Sequence, residues 1–443
     1  MLEGKSILYV VKSLISQEKH EQAHQLLDFF AEHATTLADF DTLGEAALKA
    51  QHHKLRLRCA EYTYTHSTTS EQLYNSRENL YKTYNALNYP EKALFYIDLN
   101  LKIKPNDPDT LMNKAFNLAL MNQRSEAEAL ISTVSATDKK LAESIEYSLA
   151  GKLLREGNTA KGINGFISTF KPKNELFEDT LKLKFWDGGI QPGKTIVING
   201  EGGVGDEIIN IRFLDYLKRM GMRPILYSSW HMYRPDTVDL FRRHGHDVVT
   251  NHLFLKKDYL WTHMMSLPGY LGLTEKEIWE GPYLKPLRQE KNRINDSRLK
   301  IGIKCNGNPY FEQDVYRSIP MEQLVGSLPK DAAIYYFDKV KTHPGTISLK
   351  DKLNTWDDTL DYIDQMDIIV SSCTSLVHAA GAIGKTTIVI TPIAEYYTWT
   401  STRKDNRTVW YGENFYNFKQ TKVRSWAEPL QQVTDFFNNG MKL

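Results

Sequence analysis

Along the first 170 or so positions apolar residues recur at three- and four-residue spacing with almost no β-branched runs, the pattern of amphipathic helices. EKHEQAHQLLDFF (18–30) is one such stretch. Three others look alike: NYPEKALFY (88–96), NQRSEAEAL (122–130) and GNTAKGING (157–165), each a turn residue, a polar pair and then a small residue. The small residues, Ala93, Ala127 and Gly162, stand 34 and 35 positions apart, a period that predicts stacked helical hairpins whose helices approach closely there. From about residue 190 the texture changes. Short apolar runs (TIVIN, PILYSS, DVVT, KIGIKCN, AAIYYFD, DIIVSS, TTIVITP) alternate with amphipathic segments of helix length, which predicts βαβ units and a mainly parallel sheet. KPLRQEKNRINDSRLK (285–300) is charged, contains a proline and has no strand pattern; it reads as a linker between two such sheets.

The first half resembles a tetratricopeptide array of four or five degenerate units. The expected fold class is therefore α plus α/β: tetratricopeptide-like helical repeats followed by two Rossmann-like parallel-sheet domains. Composition changes this picture little. The chain is 41% hydrophobic and 25% charged, ordinary globular material with enough length for two or three cores. No run approaches the ~18 consecutive apolar residues of a membrane helix, and the N-terminal segment mixes charges into helical spacing, so neither a membrane span nor a signal peptide is expected and the cytoplasm is. Cys59, Cys305 and Cys373 lie far apart, without metal-ligand spacing. A formal charge of +1 leaves no overall footprint for nucleic acid.

NGEGGVGDEI (199–208) follows TIVI and precedes INIRFLDYLKRMG, so it reads as a strand, a glycine turn and a helix start; Gly200, Gly202 and Gly205 fit G-x-G-x-x-G. A dinucleotide fingerprint sets a pyrophosphate on the free N–H groups of that helix start. Here the helix opens with Asp206 and Glu207, the wrong sign, and no acid stands roughly 20 residues on to hold a ribose. A phosphate-binding P-loop needs Lys-Ser/Thr where this chain has Asp-Glu. Two readings of the acids remain: they complement the helix dipole, or Asp206 stands at the carboxyl end of a strand to take a proton from a hydroxyl.

FWDGGIQPGKTIVINGEGGVGDEIINIRFL resembles the opening of the glycosyltransferase domains found behind tetratricopeptide repeats in bacteria, relatives of the heptosyltransferase family with the two-domain GT-B fold. The matching positions are Trp186, Gly188, Gly193, Lys194, Gly200, Glu201, Gly205, Asp206, Glu207 and Arg212. HMMSLPGYLG (263–272), GIKCNGNPYFEQDVYRSIPMEQL (302–324) and MDIIVSSCTSLVHAAGAIGKTTIVITP (366–392) resemble later blocks of the same family, in order. The resemblance implies that Asp206 is the general base, that Gly203, Glu207 and Arg212 bind substrate, and that the second domain carries the nucleotide-sugar. The chain departs from the pattern at Cys373, where relatives have Asp, and at Lys304 and Cys305, where they often have a tryptophan, which puts the sugar in question.

The residues themselves add detail. TSLVHAAGAIGK follows a strand and opens a helix of small residues, so N–H groups near Thr374, Ser375 and Leu376 can receive a diphosphate without a metal. His378, one turn in, either reaches a phosphate or ribose or packs against the sheet. Arg317 in YRSIP is the candidate to neutralise a departing diphosphate, or a solvated arginine before a turn. Asn306 and Asn308 either bind sugar and phosphate oxygens or make the turn around Gly307. Trp399 either stacks on a base or sugar or belongs to a core. No D-x-D stands at a strand end, so no metal and no cofactor beyond the nucleotide-sugar donor is expected. DPD (107–109) reads as a helix cap. The expected organisation is 1–170 repeats, 171–290 the acceptor-side sheet domain and 291–443 the donor-side domain, with a C-terminal helix able to cross back. The expected function is a metal-independent, inverting glycosyltransferase whose acceptor is a protein, a glycan or a modified DNA base, recognised partly by the repeats. The rival is an inert transferase-like scaffold whose repeats bind a protein partner; a nicotinamide oxidoreductase is disfavoured.

Overall fold

The computed structural model describes residues 4–17, 19–169, 174–228, 235–308, 311, 313–339, 342–394, 396–400 and 405–442. The amphipathic segments form helices α1 (Gly4–Ser16), α2 (His20–Ala31), α3 (Leu37–Lys49), α4 (His53–Thr65), α5 (Ser70–Ala86), α6 (Pro90–Leu101), α7 (Pro108–Leu120), α8 (Arg124–Ile131), α9 (Lys139–Arg155) and α10 (Thr159–Thr169). Local chemistry sets their ends. Thr36 and Asp39, and Thr69 and Gln72, form reciprocal capping boxes on α3 and α5. Asp107 accepts the Thr110 N–H at 2.9 Å ahead of Pro108, so DPD caps α7. Four hairpins share one turn device: Gln51, Asn88, Asn122 and Gly157 take left-handed backbone, with φ of 54°, 59°, 64° and 78°. Each is followed by an N–H that reaches five residues back to close the preceding helix, as in Tyr89 to Tyr84 and Gln123 to Leu118, both 2.8 Å. Ala93 and Ala127 are buried, and a Cβ on Gly162 would meet the Leu154 side chain at 2.6 Å, so the small residues do mark close helix contacts.

The chain divides into two compact units. One comprises Met1–Ile145 with Asn308–Tyr316 and Lys422–Arg424; the other comprises Glu146–Gly307, Arg317–Thr421 and Ser425–Leu443. Within the first, the Tyr316 hydroxyl donates to the Asn85 carbonyl (2.6 Å) and Arg424 donates to the Asn88 carbonyl (2.7 Å). The second half of α9 and α10 belong to the second unit, where Ala150, Leu154, Ile163 and Phe166 join the core of the sheet domains.

That second unit holds two parallel sheets. The first has β1 (Lys184–Phe185), β2 (Thr195–Asn199), β3 (Arg223–Tyr227), β4 (Asp247–Val249) and β5 (Leu260–His263) in the order β1-β5-β2-β3-β4. The second has β6 (Lys300–Lys304), β7 (Ala333–Tyr336), β8 (Ile347–Ser348), β9 (Ile368–Ser372), β10 (Thr387–Thr391) and β11 (Phe415–Lys419) in the order β11-β10-β9-β6-β7-β8. β7, β9 and β10 are buried at every position, the signature of strands covered on both faces. Chain order reverses at β2 in the first sheet and at β6 in the second, so open α/β logic puts the ligand crevices between the carboxyl ends of β2 and β5 and of β6 and β9. Helices cover the sheets: α11 (Val204–Asn210), α12 (Phe213–Arg219), α13 (Pro235–Arg243), α14 (Leu267–Tyr270) and α15 (Glu275–Ile278) in the first, α17 (Met321–Gly326), α18 (Trp356–Gln365), α19 (Ser375–Ala382), α20 (Tyr397–Thr400) and α21 (Ala427–Asn438) after it; of α16 (Asp314–Arg317), only Arg317 belongs to this unit. The 285–300 stretch is a linker without strand until β6; Asp361 accepts the Arg288 and Gln289 N–H groups (2.6 and 2.9 Å) and so ties the linker to α18. The C-terminal helix α21 packs on the second sheet, with Phe436 against Tyr416 and Phe418 of β11.

Candidate active site

The glycine loop leaves β2 at the first crevice. Gly202 needs its freedom, with φ of 72°, and Gly200 sits where a Cβ would lie 2.7 Å from a Glu207 carboxylate oxygen and 3.2 Å from the Tyr227 carbonyl. Gly205 is small for another reason. A Cβ there would come 2.8 Å from Cδ2 of His378 and 3.4 Å from the Ser375 Cα, because α11 lies directly on α19 of the second sheet. The third glycine of the fingerprint thus lets two helices meet rather than a helix meet a pyrophosphate. Gly205→Ala is expected to destabilise the protein by about 1–3 kcal/mol through that overlap, offset by about 1 kcal/mol of helix propensity, read as a lower urea midpoint.

Asp206 accepts the Gly203 N–H at 2.7 Å, so it does cap its own helix, and the residue as a whole is half-buried. Its proton affinity is raised, first by burial and further by the charge of Glu201; the Gly203 N–H and Arg317 act in the opposite direction. The capping role expected of this acid is thus present, and its raised proton affinity is compatible with a base. Across the crevice, Glu201 meets residues the sequence reading passed over. Its Oε2 lies 2.9 Å from Nδ1 of His263, and its Oε1 accepts the Met265 N–H at 3.1 Å. His263 ends β5 opposite Asn199 of β2, only 4% of its side chain is exposed, and its Nε2 finds no partner among the described residues. A signal existed in YLWTH, but its aromatic, non-alternating character hides a strand.

Arg317 ends α16 and donates from Nη1 to the Cys373 carbonyl at 3.0 Å, which fixes a guanidinium at the second crevice and within electrostatic reach of Asp206. Thr374 is the N-cap of α19, with extended backbone and no side-chain cap bond; Ser375 is half-buried and Leu376 is buried. Asn306 lines a cavity of about 450 Å³ beside the ends of β6 and β7, together with Cys305, Ser318, Ile319, Tyr336 and His343. Lys304, a departure from the family pattern, donates to Asp338 and to the Phe337 carbonyl, both at 3.1 Å, next to that cavity. Asn308 is exposed, its carbonyl accepts the Phe311 N–H in a turn, and it belongs to the helical unit.

His378 and Trp399 are packed. The imidazole pairs through Nδ1 with the Tyr411 hydroxyl (2.8 Å) and stacks on Trp399 at 5.1 Å; Trp399 stacks in turn on Phe415. Burial, with Arg212 and Arg317 adding repulsion, pushes the His378 pKa down to about 3, so this ring is neutral. Trp399→Ala is expected to cost about 3–5 kcal/mol, seen as a lower urea midpoint in near-ultraviolet circular dichroism. A ligand-stacking tryptophan would instead lose donor affinity at an unchanged midpoint. Glu207 is buried under Gly200. Arg212 is buried beneath Tyr283 and Tyr411, with their rings 4.9 and 5.4 Å from its guanidinium carbon, and donates to the Trp410 carbonyl at 2.8 Å. It joins the two sheet domains from inside.

HEQAH (20–24) has the H-E-x-x-H spacing of a zinc helix, yet His24 donates from Nε2 to the Ala50 carbonyl (2.7 Å) and the neighbouring His52 pairs with Asp28 (2.9 Å). These histidines stitch α2 to the α3–α4 turn.

No protein-family model matches the chain, and no curated protein matches it in sequence. Solved structures similar to it include three of note. A glycosyl transferase family 9 protein from Veillonella parvula is 11% identical, with a TM-score of 0.33, over 53% of this chain and 88% of that one. The dodecameric iron-containing heptosyltransferase TibC of enterotoxigenic E. coli, in complex with ADP-D-beta-D-heptose, is 13% identical, with a TM-score of 0.37, over 58% and 76%. A mutant O-GlcNAc transferase of Thermobaculum terrenum is 11% identical, with a TM-score of 0.37, over 98% and 90%. The likeness is one of fold.

Proposed function

We propose that the chain is a metal-independent, inverting glycosyltransferase using a nucleotide-diphosphate sugar, acting in the cytoplasm. The observation that carries this reading is the pairing of Asp206 and Arg317: one from each sheet domain, each beside its own crevice, within electrostatic reach of one another. The donor's nucleoside takes the 450 Å³ cavity at Asn306 and Tyr336, and its diphosphate lies at the start of α19, near Thr374, Ser375 and Leu376. Arg317 neutralises the diphosphate as it leaves. Asp206 takes the acceptor's hydroxyl proton, the freed oxygen attacks the anomeric carbon from the opposite face, and configuration inverts. Glu201, held by His263 and the Met265 N–H, keeps a second carboxylate beside Asp206 and supports its basicity. The acceptor is a protein, a glycan or a modified DNA base, reached partly through the helical unit. The test is to incubate the protein with mixed nucleotide sugars and identify the retained species by mass spectrometry. Retention of one nucleotide sugar supports the reading; retention of none, or of NAD alone, overturns it.

A further inference from the structure

The loop after β4 carries the most exposed apolar pair of the described sheet domains. Leu253 is 78% exposed and Phe254 is 71% exposed. This is a built turn and not a frayed one. Asn251 Oδ1 accepts the Leu253 N–H at 2.9 Å, and the Leu255 N–H returns to the His252 carbonyl at 3.0 Å. Leu255, the next residue, is buried in the cluster with Phe177, Val197, Tyr227 and Trp261, so the turn is anchored from below while its two neighbours point to water. Lys256 and Lys257 follow at once; both are exposed, and neither joins an ion pair among the described residues. Asp258 is the single acid of the loop. Leaving two large apolar side chains in water on a rigid mount is unfavourable unless something covers them. The lysines beside them select a negatively charged cover.

We propose that this Leu253–Phe254 tip, with Lys256 and Lys257, is a docking surface for an anionic lipid bilayer. The two apolar side chains enter the boundary between headgroups and acyl chains, and the two ammonium groups stay among the headgroup phosphates. Two apolar side chains and two lysines give reversible, salt-sensitive association and no permanent anchor. The surface stands on exposure and charge alone and is independent of the transferase reading.

The test is co-flotation of the full chain with vesicles of phosphatidylcholine mixed with phosphatidylglycerol, and of phosphatidylcholine alone, at low and high salt, with no donor or turnover involved. Binding to the mixed vesicles, weakened by salt, is expected. The L253D/F254D variant should lose it by about tenfold or more, and K256E/K257E by a similar factor, both with unchanged far-ultraviolet circular dichroism. Equal binding of wild type and L253D/F254D, binding that ignores vesicle charge, or no binding overturns the proposal. So does a wild-type dimer that L253D/F254D converts to a monomer, since the tip would then meet a second copy of the chain.

Discussion

Replacing Asp206 with asparagine is expected to abolish transfer, lowering kcat by roughly 10²–10⁴-fold, while the donor still binds. Asparagine keeps an oxygen to accept the Gly203 N–H and loses the ability to take a proton. Folding is the control. The folded-state pKa of Asp206 is raised, so the stability it contributes is present at low pH and is lost as pH rises through that folded value. Near neutral pH the variant is therefore at least as stable as the wild type, and its inactivity is chemical. The same raised value places the acid limb of the wild-type rate above the ordinary aspartate range, with Glu201 holding it up and Arg317 holding it down. Measured as kcat against pH, Glu201→Gln moves that limb to lower pH. Near-wild-type turnover in the asparagine variant would remove Asp206 from the mechanism.

Arg317→Met is expected to have the second largest effect, a fall in kcat of about 10²–10³-fold, or about 3–4 kcal/mol of transition-state stabilisation. Its guanidinium is already anchored on the Cys373 carbonyl, so in the proposed mechanism it would meet the leaving diphosphate with a charge that needs no reorganisation. Losing it also removes a positive charge that lowers the Asp206 pKa, and the acid limb of the variant shifts to higher pH. Arg317→Lys keeps the charge but not the planar fork, and restores the pH profile more fully than the rate. A loss of rate with no movement of the limb would show that Arg317 does not face Asp206 in the working enzyme.

Much of this architecture is legible in the chain because its cause is local. The 34-residue spacing of Ala93 and Ala127 reports helix hairpins, and TIVIN or DIIVSS reports strands covered on both faces, since each pattern is set by what those few residues must bury. β5 and β11 escape the pattern because LWTH and FYNFK are aromatic and sit in sheets whose neighbours come from distant sequence. For the same reason His263 goes unseen: its meaning is a carboxylate 62 positions earlier, reached only across a strand pair. Trp399 and His378 carry the opposite lesson. Residue type and position suit a ligand, and only the partners Tyr411 and Phe415 reveal a stacked core. Asp206 and Gly205 are legible as important and misleading as to why, since the acid caps its own helix and the glycine answers to a helix from the other sheet.

That last contact constrains ancestry as well as stability. With a bare backbone at 205 facing a ring at 378 that has no room to move, position 205 cannot gain a side chain freely while that ring stands. Among descendants of a common ancestor with this fold, a side chain gained at 205 must arrive together with, or after, a smaller residue at 378. The two sites, 173 positions apart in sequence, are bound to drift as a pair.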